Sequence, residues 1–252
     1  MTIDFSKLSI EATYLAGQFK AMSDKTKSEL PGLFSGLYKI KKLSLEGFIL
    51  LDEHIKIRGI IRGLFDVPYI EEITIQGMTN LSSLGSMFFN SSINSVLKRV
   101  DLSKFDMSKV TNIGFMFHGQ KKLESVNFGD ISSVVLASHV FYNCESLVNI
   151  DFGDNQVEHI KDLYNAFGNC SSIKYLNLRQ FNVKHTPYFD NIFNGCSGLE
   201  SVDISNFRVG PGVKKMFEGC SSLETVIAPN DPESKAYIAD YLNRCGIKAE
   251  IK

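Results

Sequence analysis

Four stretches of the chain repeat one pattern of apolar and polar positions: VFYNCESLVNIDF (140–152), AFGNCSSIKYLNL (166–178), IFNGCSGLESVDI (192–204) and MFEGCSSLETVIA (216–228). Each reads apolar-Phe-x-[Asn/Gly]-Cys-x-x-[Leu/Ile]-x-x-[Val/Ile/Leu]-x-apolar. The anchoring Phe141, Phe167, Phe193 and Phe217 are separated by 26, 26 and 24 residues. Upstream, MFHGQKKLESVNF (116–128) fits with Gln120 in place of the cysteine. Phe88 fits with about three residues inserted before Leu97, Phe34 keeps register, and Phe65 fits with one residue deleted. The chain thus carries about eight repeats of 23–31 residues. A unit that short cannot bury its own apolar side, so neighbours must stack, and the period predicts rungs of a solenoid. The alternating apolar positions after each cysteine predict a short strand of a parallel sheet, with the phenylalanine driven inward by the preceding turn. Phe105, Phe181 and Phe207, three residues past their strands, predict a second stacked aromatic column.

The ends depart from the repeat. Leu8, Ala12, Leu15, Phe19 and Met22 predict an amphipathic helix within residues 5–29, closed by Pro31 and Gly32. Asp231-Pro232-Glu233 is a helix start, and Ala236, Ile238, Ala239 and Leu242 are its expected buried side. Gly246 ends that helix, and Ile247–Ile251 is a candidate final strand. The expected organisation is one structural domain: a helical cap over 1–30, the solenoid over 31–230 and a C-terminal cap over 231–252.

Chemistry enters through the positions facing outward. Ten residues past each anchor the sequence places Asp101, Asn127, Asp151, Asn177 and Asp203, an alternation of acid and amide. Stacked carboxylates repel, while interleaved amides can donate between them, so a self-satisfied ladder is expected, with partner contact as the rival reading. Two positions earlier stand Lys42, Glu72, Arg99, Ser125, Asn149, Tyr175, Ser201 and Thr225; Arg99 and Tyr175 are of the types enriched at binding hot spots. These outward residues are the candidate partner-binding set.

Catalysis and cofactors find little support. Cys144, Cys170, Cys196 and Cys220 recur once per rung, so they form a column and cannot converge on one zinc ion. His159 and His185 fall on equivalent positions of adjacent rungs, which makes them a weak candidate metal or acid–base pair. No HExxH, GxSxG, P-loop or GxGxxG pattern occurs. The expectation is a non-enzyme without a cofactor.

Composition narrows the partners. The 252 residues are 44% hydrophobic, enough for a sizeable core, and the formal charge is −1. Residues 31–122 carry net +4 and residues 123–230 net −5, a dipole able to orient a charged protein partner. A near-neutral chain without a recognition motif is not expected to bind nucleic acid. No apolar run approaches a membrane span and no leader is evident, and five cysteines fit reduced thiols, so a cytoplasmic monomer is the expectation.

The stretch VDLSKFDMSKVTNIGFMF (100–117), echoed by VDISNFRV (202–209), resembles the recurring unit of the BspA-like leucine-rich repeat family, which includes repeats of mycoplasma surface lipoproteins. The resemblance covers about residues 31–230. It implies a β-rich leucine-rich-repeat solenoid (α/β) with parallel strands, a helical N-terminal cap and a helix–strand C-terminal cap. It also implies action by binding. Without an anchor, that reads as an intracellular adaptor or inhibitor, of phage or mobile-element origin; the alternative is a bacterial surface adhesion module lacking its leader.

Overall fold

The computed structural model describes residues 2–4, 41–50, 69–89, 95–183, 189–211 and 213–252. The expected helix within 5–29, the anchors Phe34 and Phe65, and His185 lie outside the described residues, while the strands expected after those two anchors are described. The strands are β1 (Thr2–Asp4), β2 (Lys42–Leu50), β3 (Glu72–Thr79), β4 (Arg99–Asp106), β5 (Ser125–Asn127), β6 (Asn149–Asp151), β7 (Tyr175–Asn177), β8 (Ser201–Asp203), β9 (Thr225–Ile227) and β10 (Glu250–Ile251). All pair in parallel, β1 to β6 in one sheet and β7 to β10 in another, each beside its sequence neighbour. The protein is a parallel-strand solenoid, as the repeat predicts. The register matches the template: Arg99, Ser125 and Asn149 are aligned partners, as are Tyr175, Ser201 and Thr225.

The rungs are also joined on the turn side. Phe117, Phe141, Phe167 and Phe193 each donate their backbone N–H to a carbonyl of the following rung, at 2.9, 2.9, 3.0 and 3.2 Å. These bonds continue across the gap between β6 and β7, so the solenoid stays continuous where the strand ladder stops.

The anchors stack as the sequence requires. Ring centroids from Phe88 through Phe117, Phe141, Phe167 and Phe193 to Phe217 follow one another at 5.0, 5.4, 5.7, 6.0 and 5.5 Å, with planes within 21°. Each ring is almost fully buried, worth about 1.5–3 kcal/mol from burial alone. The second aromatic column is different from expectation. Phe128 and Phe152, eleven residues past their own anchors and so at a different repeat position, stack at 5.9 Å, and Phe152 meets Phe181 edge-on at 84°. Phe207 likewise packs edge-on, against Phe189.

The recurring cysteine has a structural duty. Each Sγ donates to the carbonyl of the anchoring phenylalanine one rung back: Cys144 to Phe117, Cys170 to Phe141, Cys196 to Phe167 and Cys220 to Phe193, at 3.0–3.2 Å. Burial pushes all four thiols up, Cys220 to about 12.

At the C-terminal end, α1 (Pro232–Arg244) starts where the sequence places it. The Asp231 carboxylate accepts from the Ser234 N–H at 2.8 Å, and Pro232 occupies the first turn. Its buried side is Ser234, Ile238, Tyr241 and Leu242; Ala236 and Ala239, expected inside, are exposed. Tyr241 has to face Phe217, which it meets edge-on at 6.3 Å, and that contact sets the rotation of the helix. After Gly246, at φ 68°, the final strand is shorter than expected and pairs with β9.

Candidate functional site

On the strand face, the acid–amide column does not form the expected ladder. Among the described residues no hydrogen bond joins one member to the next. Instead, Asp101, Asp151, Asn177 and Asp203 each accept from the backbone N–H two residues on, at 2.9, 2.9, 3.1 and 3.0 Å. Such a turn needs only the side-chain oxygen that Asp and Asn share, so the alternation carries no pairing role. Asn127 lies half-buried in the same column.

Charge on this face is arranged between rungs. Lys41 and Lys98 both bind Glu71 at 2.8 Å, and these two ammonium groups pull the Glu71 carboxyl down to about 2. Arg99 bridges Glu72, at 2.5 Å, and Glu124, at 3.0 Å, while Lys42 reaches Glu72 at 2.6 Å. The charge preceding each strand alternates through Lys41, Glu71, Lys98 and Glu124, stops at Val148, and resumes with Lys174 and Glu200. Val148 is 56% exposed, and it stands where the strand ladder is interrupted. Beside it, Tyr175 is 68% exposed, with its hydroxyl donating to Glu200 at 2.7 Å. That bond to a carboxylate raises the Tyr175 phenol. Of the two residues singled out from sequence, Arg99 is spent on neighbouring rungs and Tyr175 presents an open ring.

A second surface lies on the turn side. The residue two before each anchor has positive φ throughout: Ser86, Phe115, His139, Asn165, Asn191 and Lys215, between 53° and 62°. Ser, Asn and Lys are unremarkable occupants, but a phenylalanine in this left-handed region is uncommon and strained. Phe115 and His139 stack on each other at 4.5 Å with planes 9° apart. Around them gather His118 stacked on Phe89 at 5.0 Å, Tyr142 at 5.3 Å from His118, and Tyr164 at 5.2 Å from His139. Phe115, Leu136 and Tyr164 are each more than a third exposed. Burial, with His118 nearby, lowers the His139 pKa despite the counter-pull of Asp162. Sequence reasoning missed this surface; its signal was a bulky ring at two positions where other rungs carry Ser, Asn or Lys.

Nothing assembles a reactive centre among the described residues. No three His, Cys, Asp or Glu side chains gather to hold a metal. The four rung thiols are buried with raised pKa, which suits neither a nucleophile nor a ligand. Cys245, at the end of α1, is exposed, and His159 is exposed with its expected partner outside the described residues. No described helix is long and apolar enough to cross a membrane.

Comparison with known proteins places these rungs. A family model described as BspA type leucine rich repeat region matches residues 111–242 in six copies. No curated protein matches the chain. Among solved structures it is similar to a leucine-rich repeat protein from Bacteroides ovatus, at 19% identity and TM-score 0.48, covering 88% of this chain and 56% of that one. It is similar to a leucine rich cell surface protein from Faecalibacterium prausnitzii, at 16% identity and TM-score 0.34, covering 77% and 61%. It is also similar to a chain of the Drosophila Toll–Spatzle complex, at 16% identity and TM-score 0.47, covering 77% and 24%. The chain therefore spans less than two thirds of the length of each of these proteins. The family match takes in more than half of the sequence and coincides with the stacked Phe–Cys rungs, and the chain belongs to the BspA-type leucine-rich repeat family.

Proposed function

We propose that this protein acts by binding another protein and performs no catalysis, as an adaptor or inhibitor that occupies a partner's surface through the aromatic patch on its turn side. The observation that carries this reading is the exposed ring of Phe115 stacked on the half-buried His139, both in left-handed backbone, at the centre of an aromatic cluster. Backbone strain of this kind costs on the order of 1 kcal/mol or more and persists where the surroundings over-determine it, often at functional sites. Large, rigid aromatic side chains supply contact area at low entropic cost, which is why they dominate interface energetics. Cytoplasmic location, with five free thiols that suit a reducing compartment, and phage or mobile-element origin are further parts of this proposal.

The test starts from a partner captured from native-host lysate and measures its affinity by surface plasmon resonance. Phe115→Asn/Tyr164→Asn is expected to weaken binding about 100-fold, two hot-spot contacts of about 1.4 kcal/mol each. Arg99→Glu/Tyr175→Ala is expected to leave affinity within about 3-fold. The opposite result would move the contact to the strand face, to Tyr175 and the column of Asp101, Asn127, Asp151, Asn177 and Asp203. A second reading, a surface adhesion module, draws on the family's usual setting on bacterial surfaces. Recovery of the native protein only in the cell envelope would replace the intracellular reading with this one.

A further inference from the structure

Each interior turn hands three backbone N–H groups to the next rung, from the residues two before, at, and two after the anchor. In the penultimate rung Asn191 donates to the Lys214 carbonyl at 2.9 Å, Phe193 to Met216 at 3.2 Å and Gly195 to Glu218 at 2.8 Å. The corresponding donors of the last rung are Lys215, Phe217 and Gly219, and no further rung follows them within the described residues. Tyr241 closes over the middle position, its ring meeting Phe217 edge-on at 6.3 Å. The Lys215 and Gly219 amides meet no protein acceptor among the described residues.

The reason is the shape of the cap. Tyr241 covers Phe217 with a ring edge instead of a stacked face, and a pocket of about 690 Å³ remains between the last turn and α1. Val213, Tyr241 and Ile247 supply its apolar surface, with Phe217 fully buried behind them. Lys214, Lys215 and Arg244 bring three positive charges to its lining against one carboxylate, Glu218. Lys215 pairs with Glu218 at 3.3 Å and Arg244 with Asp240 at 2.8 Å, while the Lys214 ammonium forms no ion pair among the described residues.

We propose that this pocket binds a short extended peptide segment of a partner that alternates acidic and apolar side chains. The open donors are backbone amides set in the register that the solenoid uses to receive peptide carbonyls, which favours a peptide over an amphiphile such as a fatty acid. An apolar side chain then lies over Val213 and Ile247, and carboxylates face Lys214 and Arg244. This site is at the C-terminal end of the solenoid and is independent of the aromatic patch.

The probe is an acetylated, amidated Glu-Phe-Glu-Phe-Glu peptide titrated into the full chain labelled with ¹⁵N. The Lys215 and Gly219 amide resonances are expected to move downfield on saturation, and Lys214→Glu is expected to weaken binding on the order of 10-fold. A Phe115→Asn/Tyr164→Asn variant is expected to bind the peptide as the wild type does, which separates this site from the patch above. The proposal is overturned if a Lys-Phe-Lys-Phe-Lys peptide binds equally well, or if the shifts fall outside the last rung and α1. It is also overturned if Lys214→Glu binds unchanged while its circular dichroism matches wild type, or if laurate shifts these amides and the acidic peptide does not.

Discussion

Gln120 Nε2 donates to the carbonyl oxygen of Phe88 at 2.6 Å, the same bond that the Cys144 thiol makes to Phe117 one rung later. Ser95 steadies the longer side chain by donating to its Oε1 at 2.6 Å. The cysteine position is therefore a donor position. Replacing Cys170 by valine keeps an apolar side chain of similar size but removes one of two donors to the buried Phe141 carbonyl, which keeps the Cys144 N–H at 3.0 Å. Urea unfolding is expected to show a loss of about 0.5–1.5 kcal/mol for Cys170→Val, and a smaller loss for Cys170→Ser, which retains a donor.

The thiols also predict a pH dependence. Burial raises Cys220 from 9.0 to about 12, and its three counterparts upward too. Below pH 9 both folded and unfolded states hold these protons; above it the unfolded chain releases them first. Stability is thus expected to fall as pH rises from about 9 towards 12, a slope that a Cys144→Ser/Cys170→Ser variant reduces. Under native conditions at pH 8, a thiol reagent is expected to label Cys245 alone, and all five cysteines after denaturation.

Phe141 touches Phe117 at 5.4 Å and Phe167 at 5.7 Å, so its removal opens a void between two bonded turns. Phe141→Ala is expected to cost about 3–5 kcal/mol in urea unfolding. The void lies mid-solenoid, so the transition is also expected to broaden, since each rung is stabilised mainly by its neighbours.

Phe115→Asn on its own offers a different balance. Asn accepts left-handed backbone that Phe resists, and the ring it replaces is more than a third exposed. The variant is expected to be no less stable than wild type, within about 0.5 kcal/mol. A clear loss of stability would mean that the Phe115–His139 stack supports the fold, and the binding role assigned to it would fail.

Glu71 is expected to stay ionised to about pH 2 in the folded protein, because Lys41 and Lys98 grip it. Its contribution to stability is present above the ordinary carboxylate range and is lost as pH falls through about 2. Carboxyl-carbon NMR titration checks this, and Lys98→Met is expected to raise the midpoint towards 4.5.

The sequence alone determined the solenoid, because its rungs repeat a local demand: a phenylalanine to bury, a donor for the preceding carbonyl and three alternating apolar positions. Spacing records such demands directly, so the parallel strands, the Phe88-to-Phe217 column and the start of α1 at Asp231 were all legible. Relations between rungs were not, since a column's chemistry depends on which neighbour each side chain chooses. The Asp101-to-Asp203 column reads as a ladder between rungs, yet its members bond their own backbone, because an amide two residues away is nearer than the next rung. Arg99 reads as a free contact, yet two carboxylates that are remote in sequence hold it. Only the tertiary structure gathered Phe89, Phe115, His118, His139, Tyr142 and Tyr164 into one surface, because their contacts cross rungs at separations the period does not label by residue type. The pocket beside Tyr241 likewise depends on the angle at which a helix closes the last rung, and packing sets that angle.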